Sequence, residues 1–309
     1  MEIPDLELPF FAYGALKSGE MAHRIVEPFL SSECVPASGF DHALWVVDGV
    51  AKCSPSEGSS IRGQIMNFKN PEVAYAAIAK FEDVPNFYSW QQLRTLAGFA
   101  NVLIATEESK SRQEKVDAWS SAEDGLLAYG IPWAYQRIRN AENVVLSNAH
   151  DYEFWMAYHD LQSTFQLLWS ITERILLFHD GPEHRERLLG DKVAWLRDML
   201  KHPGLKAAVE QVRIDHTIGF RSNLEPHAEH PRRAGEFGFQ AWYDARNNIV
   251  HRGKGTRIEK GALWTITVDL HNTLAYFLQN NSEPIKKLWT NLTSDEKPAY
   301  STWLYKIQR

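Results

Sequence analysis

The chain has 309 residues, of which 44% are hydrophobic and 23% charged, with a formal net charge of −6. That length is generous for one hydrophobic core and suited to two, and the composition excludes a largely disordered chain. No long uncharged apolar run and no basic-flanked apolar leader occurs, which argues against a membrane span or secretory leader. Two cysteines, Cys34 and Cys53, are too few for a disulfide framework or a thiolate metal site, so a cytoplasmic protein with no cofactor and no metal is expected.

In chain order, Pro9–Tyr13 reads as a short buried strand ending at Gly14. Further apolar runs at Ala43–Val47, Ile61–Phe68, Leu93–Leu96 and Asn101–Thr106, each bounded by Gly, Pro, Asn or Ser, carry the strand signature. Helices are predicted at His23–Leu30 and at Pro71–Phe81, the second with proline in its first turn and an alanine-rich middle. Residues 1–110 thus form a small α+β domain. Glu107–Lys115 is charged and aperiodic and reads as a linker, and residues 111–149 as a helical connector with a turn at Gly130–Trp133.

From Asp151 the pattern changes. Phe154, Tyr158, Leu161, Phe165, Leu168 and Ile175 recur at helical spacing, which predicts one long amphipathic helix stopping at Asp180-Gly-Pro182. More helices are predicted at 184–201, 205–218, 236–252 and 260–279, with a Pro/His/Arg-rich loop at 223–234. The fold class is therefore multidomain, α+β then all-α, with a helical domain over 150–281 and a C-terminal extension over 282–309.

Charge is uneven along the chain. Residues 1–149 carry 12 Lys/Arg against 19 Asp/Glu, and residues 150–309 carry 21 against 20. The acidic first half argues against nucleic acid there. Arg246, Arg252, Lys254, Arg257 and Lys260 supply a local basic surface in the second half, which reads equally well as a solvated helix end. His227 and His230 have metal-compatible spacing but no third ligand, and a solvated loop is the better reading.

Two groups of residues carry chemistry. The first is Phe10-Phe-Ala-Tyr-Gly-Ala-Leu16, then Ile61-Arg-Gly-Gln-Ile-Met66, then Ala79-Lys-Phe-Glu-Asp-Val-Pro-Asn-Phe-Tyr88. A strand ending in Tyr-Gly-x-Leu offers backbone amides that a carboxylate can approach. The order of parts over about residues 8–106 resembles the gamma-glutamylcyclotransferase-like family. The resemblance implies a small mixed β-sheet or barrel in which Tyr13, Gly14, Ala15 and Leu16 bind a γ-glutamyl end. Glu82 is then the acid/base that cyclises it to 5-oxoproline. Ala15 stands where the family usually has a hydroxyl residue, and Asp83 where it usually has glycine. A domain that only binds such a ligand is the alternative.

The second is Tyr243-Asp-Ala-Arg-Asn-Asn-Ile-Val-His-Arg-Gly253. Arg246 falls within an apolar helical stripe of Phe239, Trp242, Ile249 and Val250, so its guanidinium points inward and needs a partner. Glu173 on the long helix is a candidate. Over about residues 150–280 this pattern resembles the HEPN family, in its abortive-infection and Apea-like branches. The resemblance implies a metal-independent endoribonuclease working as a homodimer through the helical domain, in a stress or defence role. Arg246 and His251 would be catalytic, Asn247 orienting, and Arg252, Lys254 and Arg257 would contact RNA. No DNA and no membrane partner is expected. A non-catalytic dimerisation module, or a ligand-sensing interaction protein, stays open.

Overall fold

The structure is a computed structural model describing residues 3–47, 49–106, 114–145, 152–180, 203–211, 217–221, 229–233, 242–243, 245–246, 249 and 260–292. It is mixed α+β, with a small β-barrel in the N-terminal region and most of its helices in the C-terminal part.

Five strands close the barrel: β1 (Phe10–Ala12), β2 (Val35–Val47), β3 (Val50–Met66), β4 (Tyr88–Thr95) and β5 (Gly98–Ala105). The order runs β3-β1-β5-β4-β2, and β2 pairs back onto β3, so only β1 and β5 run parallel. Alternation along β1 divides the packing between two faces. Phe11 turns into the barrel with Leu44, Cys53, Ile61, Leu93 and Val102, while Phe10 and Ala12 face out onto Tyr75 and Ile78 of helix α1 (Pro71–Phe81). Asn70 caps α1 by accepting a hydrogen bond from the Val73 amide at 3.4 Å, and Pro71 occupies the first turn.

The long β2–β3 hairpin exceeds the apolar runs that mark its ends. The middle of β3, Ser54-Pro-Ser-Glu-Gly-Ser-Ser60, is polar; Ser54, Pro55 and Ser60 pair with Ala43, His42 and Phe40 of β2 across a register shift. The helix predicted at His23–Leu30 is instead two 3-10 turns, His23–Ile25 and Glu27–Phe29. Pro28 has no amide hydrogen with which to continue an α-helix. The end of the predicted linker is also a strand, β6 (Glu114–Val116), which adds to the edge of β2.

Helix α2 (Gly125–Val145) runs through the predicted turn at Gly130–Trp133, with Pro132 inside it. Burial of Leu127, Ala128, Ile131, Ala134, Tyr135 and Ile138 along one face outweighs the local cost of the proline. The long helix is α3 (Tyr152–Asp180), and all six residues that define its stripe are buried. Helix α4 is described over Pro203–Gln211. Part of the segment predicted as its continuation is β7 (Thr217–Arg221), paired antiparallel with β8 (Glu229–Arg233) inside the predicted loop. Helix α5 (Lys260–Asn281) matches its expected start. Helix α6 (Glu283–Leu292) then forms at the start of the expected C-terminal extension, where Ser282 Oγ accepts from the Ile285 amide at 3.2 Å and Ile285 and Trp289 bury on one face. The predicted helix at 184–201 lies outside the described residues. Of 236–252, positions 242, 243, 245, 246 and 249 are described and helical.

The chain forms two compact units. One takes in Met1–Ala128, the end of α3 from Leu176 and Asn281–Ile285, and the other Tyr129–Ile175, the described segments from α4 to Asn280, and the chain from Lys286.

A steric consequence arises where β1 meets β3. A methyl group on Gly63 would strike the Ala12 carbonyl oxygen and lie 2.7 Å from the Phe11 ring. Backbone cannot yield as a side chain does, so Gly63→Ala should destabilise the barrel by about 3 kcal/mol. Chemical denaturation of the variant checks this; unchanged stability would show that β1 and β3 are not in this register.

Candidate functional site

Glu82 ends α1, donating its own amide to the Ile78 carbonyl at 2.9 Å. Asp83 follows in the left-handed region at φ 52°, and the Val84 amide returns to the Ala79 carbonyl at 2.9 Å. This is the helix-ending turn that most often takes glycine, which gives the position of Asp83 a conformational meaning. Its carboxylate accepts a hydrogen bond from Asn86 Nδ2 at 2.8 Å, an interaction made on the exposed side of the turn.

The Glu82 residue is half-buried as a whole, yet its carboxyl lies far enough from water that burial pushes it up to about 7. Its charge is felt by two tyrosines. Tyr13 donates to the Leu103 carbonyl at 2.7 Å, and Tyr88 donates to the Ala51 carbonyl at 2.9 Å. Burial, then the neighbouring acidic groups, raise both phenols, and burial pushes the Cys53 thiol up to about 12. Of this group, Glu82 alone changes charge near neutral pH.

Tyr13 opens the turn expected to bind. Among the described residues, the amides of Gly14, Ala15 and Leu16 donate to no protein group, while the Gly14 and Ala15 carbonyls accept from Lys17 and Ala22, both at 3.2 Å. Three free donors on a half-open turn are an anion-binding arrangement. Gly14 is not in a left-handed conformation, and a methyl group there would meet Ala51 Cβ at an ordinary 3.7 Å. Side chains further along clamp the turn. Lys17 Nζ donates to the Trp119 carbonyl, Gln64 Oε1 accepts from the Ser18 amide at 2.8 Å, and the buried Glu20 carboxylate accepts from the Ser121 amide at 3.2 Å. Burial lowers Lys17 and pushes Glu20 up to about 7. Cys53, Tyr88 and Glu20 were not among the residues the sequence assigned to the site. Only the inward-facing alternation of β3 could have flagged Cys53.

In the helical unit, Glu173 Oε1 accepts from Trp169 Nε1 at 2.7 Å, and the Trp169 ring lies 6.0 Å from that of Tyr243. Trp169 and Glu173 share one face of α3, as Tyr243 and Arg246 share one face of their helical segment. The half-buried Arg246 is therefore carried alongside the stretch of α3 that holds Glu173. His251, Asn247, Arg252, Lys254 and Arg257 lie outside the described residues.

This unit also buries polar groups that the sequence reading passed over. His271 meets the Ile131 carbonyl at 3.2 Å, and burial pushes it down to about 4, so it stays neutral. Asp269 is 2% exposed, neither of its carboxyl oxygens has a hydrogen-bond partner among the described residues, and burial pushes it up to about 8. Among the described residues no group of His, Cys, Asp or Glu is placed to hold a metal, and no helix is long and apolar enough to cross a membrane.

No family model matches the chain. No curated protein matches it either. Among solved structures it is similar to the uncharacterized protein PH0828 from Pyrococcus horikoshii, at 12% identity over 36% of this chain and 86% of that one, with a TM-score of 0.30.

Proposed function

We propose that the barrel cyclises γ-glutamyl compounds, with Glu82 as the proton-transfer group. The observation that carries this reading is a carboxyl pushed up to about 7 beside Tyr13, at the head of a turn with three undonated amides. A γ-glutamyl substrate needs two things from a protein: its α-carboxylate held, and a proton moved from its α-ammonium. The turn Tyr13-Gly14-Ala15-Leu16 supplies backbone donors for the carboxylate. Ionised Glu82 takes a proton from the ammonium, and the freed amine attacks the γ-carbonyl. A carbon–nitrogen bond forms within the five-membered ring and the bond to the leaving amine breaks; Glu82 returns its proton to that amine, which also takes the second proton the ring nitrogen sheds and departs as an ammonium ion. The reacting atoms belong to one molecule, so the site has only to fold the substrate and shuttle the proton. Purified protein given γ-glutamyl amines should release 5-oxoproline. Silence across aliphatic, aromatic and amino-acid leaving groups would contradict the reading.

A second reading, endoribonuclease activity of the helical unit as a homodimer, is favoured by the placement of Arg246. Cleavage by the RNA's own 2′-hydroxyl requires proton transfer and charge neutralisation at phosphorus, for which His251 and Arg246 are chemically suited. Asn247 would orient the histidine, and Arg252, Lys254 and Arg257 would hold the strand. RNA should be cut in the presence of EDTA, and His251→Ala should abolish cutting. Continued cutting by that variant removes the assignment.

A further inference from the structure

A peptide group is planar and trans, so the carbonyl of Gly14 fixes where the Ala15 amide points, and the carbonyl of Ala15 does the same for Leu16. Both carbonyls are anchored. The Gly14 carbonyl accepts from the Lys17 amide and the Ala15 carbonyl from the Ala22 amide, each at 3.2 Å, while the Leu16 carbonyl meets His23 Nδ1 at 2.9 Å. The aim of the free amides is therefore set by residues 17–23. That stretch belongs to a closed ring of contacts. Gly19 lies in the left-handed region at φ 85°, and its carbonyl accepts from the Glu283 amide at 3.1 Å. The buried Glu20 carboxylate accepts from the Ser121 amide at 3.2 Å. Ser121 Oγ and Ser282 Oγ share a hydrogen bond of 2.6 Å, and both residues are buried. Ser282 is the single non-helical residue between α5 and α6, and its neighbour Glu283 brings the ring back to Gly19.

We propose that this ring holds the barrel's carboxylate-binding turn in its binding shape, with Ser121 and Ser282 as positioning residues for the γ-glutamyl substrate. Amides bind a carboxylate tightly only when they already point at it, because a turn that must be ordered on binding loses conformational entropy at that moment. The ring removes that freedom beforehand. Its polar side chains sit where apolar ones would bury more favourably, and they are tolerated because each meets another: the carboxylate an amide, and each hydroxyl the other hydroxyl. The segment that carries Ser121 grips the turn a second time, since Lys17 Nζ donates to the Trp119 carbonyl. From the barrel side, Gln64 Oε1 of β3 accepts from the Ser18 amide at 2.8 Å. The two serines are 161 residues apart in sequence, so the turn takes its final geometry only when this distant segment is in place.

The ring's substrate rests on the cyclotransferase reading, and two independent readouts let the ring and that reading fail separately. Ser121→Ala and Ser282→Ala remove the same hydrogen bond from opposite ends. In the full chain, each should raise the KM for a γ-glutamyl amine by about tenfold and leave kcat within about twofold, since Glu82 is untouched. The double variant should do no more than either alone. Ser121→Ala leaves the Ser282 cap of α6 intact and carries the test if Ser282→Ala fails to fold. Ser170→Ala, whose hydroxyl donates to the Gln166 carbonyl of its own helix, is the control and should match the wild type. Hydrogen exchange read by NMR is the second arm. The Lys17, Glu20 and Ala22 amides should exchange about tenfold faster in both ring variants, while those of β4 and β5 keep their wild-type rates. An unchanged KM, a loss confined to kcat, wild-type exchange at the three amides, or exchange quickened throughout the barrel overturns the proposal. A wild type that releases no 5-oxoproline removes the cyclotransferase reading, and exchange then decides alone: selective loosening of the turn upholds the ring, and wild-type rates overturn it.

Discussion

Glu82→Gln is expected to lower 5-oxoproline formation by about two to four orders of magnitude, the usual effect of removing a positioned acid/base group. The wild-type rate should rise as pH passes through about 7, because only the ionised carboxylate can accept the ammonium proton. The sign for stability is the opposite. Glu82 is raised from 4.5 to about 7 in the fold, so between those values the folded protein holds a proton that the unfolded chain has released. Stability is therefore greatest below about 4.5, falls as pH rises toward 7, and then levels off at a cost of about 3 kcal/mol. Glu82→Gln should remove that slope, making the inactive variant the more stable one in alkaline buffer. Denaturation measured against pH, set beside the rate profile, checks both halves. Glu20 is pushed to a similar value but is held by the Ser121 amide away from the cluster of Glu82, Tyr13 and Tyr88. Glu20→Gln should consequently leave the midpoint of the rate profile where it is.

The second large effect lies in the helical unit. Asp269 has both carboxyl oxygens buried without partners among the described residues and is raised from 3.8 to about 8. In neutral solution it is a protonated acid within the fold and a carboxylate in the unfolded chain. Its contribution to stability is most favourable below about 4 and is lost progressively up to about 8. Asp269→Asn keeps the shape, removes the ionisation and should stabilise the protein by several kcal/mol, on the order of 4, in alkaline buffer. Near pH 4 the variant and wild type should differ little. Thermal melts at both pH values test this, and equal melting temperatures in alkaline buffer would mean that the carboxyl reaches water or a partner.

The parts of this molecule that sequence made legible are those where one physical signal dominates. The span Pro71–Phe81 carries its cap, its proline and its apolar face together, and α3 carries an uninterrupted stripe. Glu82 was singled out through the order of the parts around it. Where signals conflicted, the reading failed. Pro132 read as a turn because a proline speaks louder in sequence than the buried stripe around it, and Pro28 was passed over inside an apolar run. The polar middle of β3, Ser54–Ser60, has no apolar alternation because it is held by pairing with the neighbouring strand β2. Asp269 could have been found by the rule that singled out Arg246: a charged residue set one turn after Ile266 on a buried face. The free amides of Gly14, Ala15 and Leu16 have no sequence signature, since donors left over are a property of the folded backbone.

The most direct measurement is the NMR titration of the Glu82 side-chain carboxyl in protein carrying 13C-labelled glutamate, assigned with Glu82→Gln, without ligand and with a non-cyclising γ-glutamyl analogue. The account predicts a midpoint near 7 in the free protein that moves when the analogue binds. A midpoint in the ordinary carboxylate range, indifferent to the analogue, would contradict it.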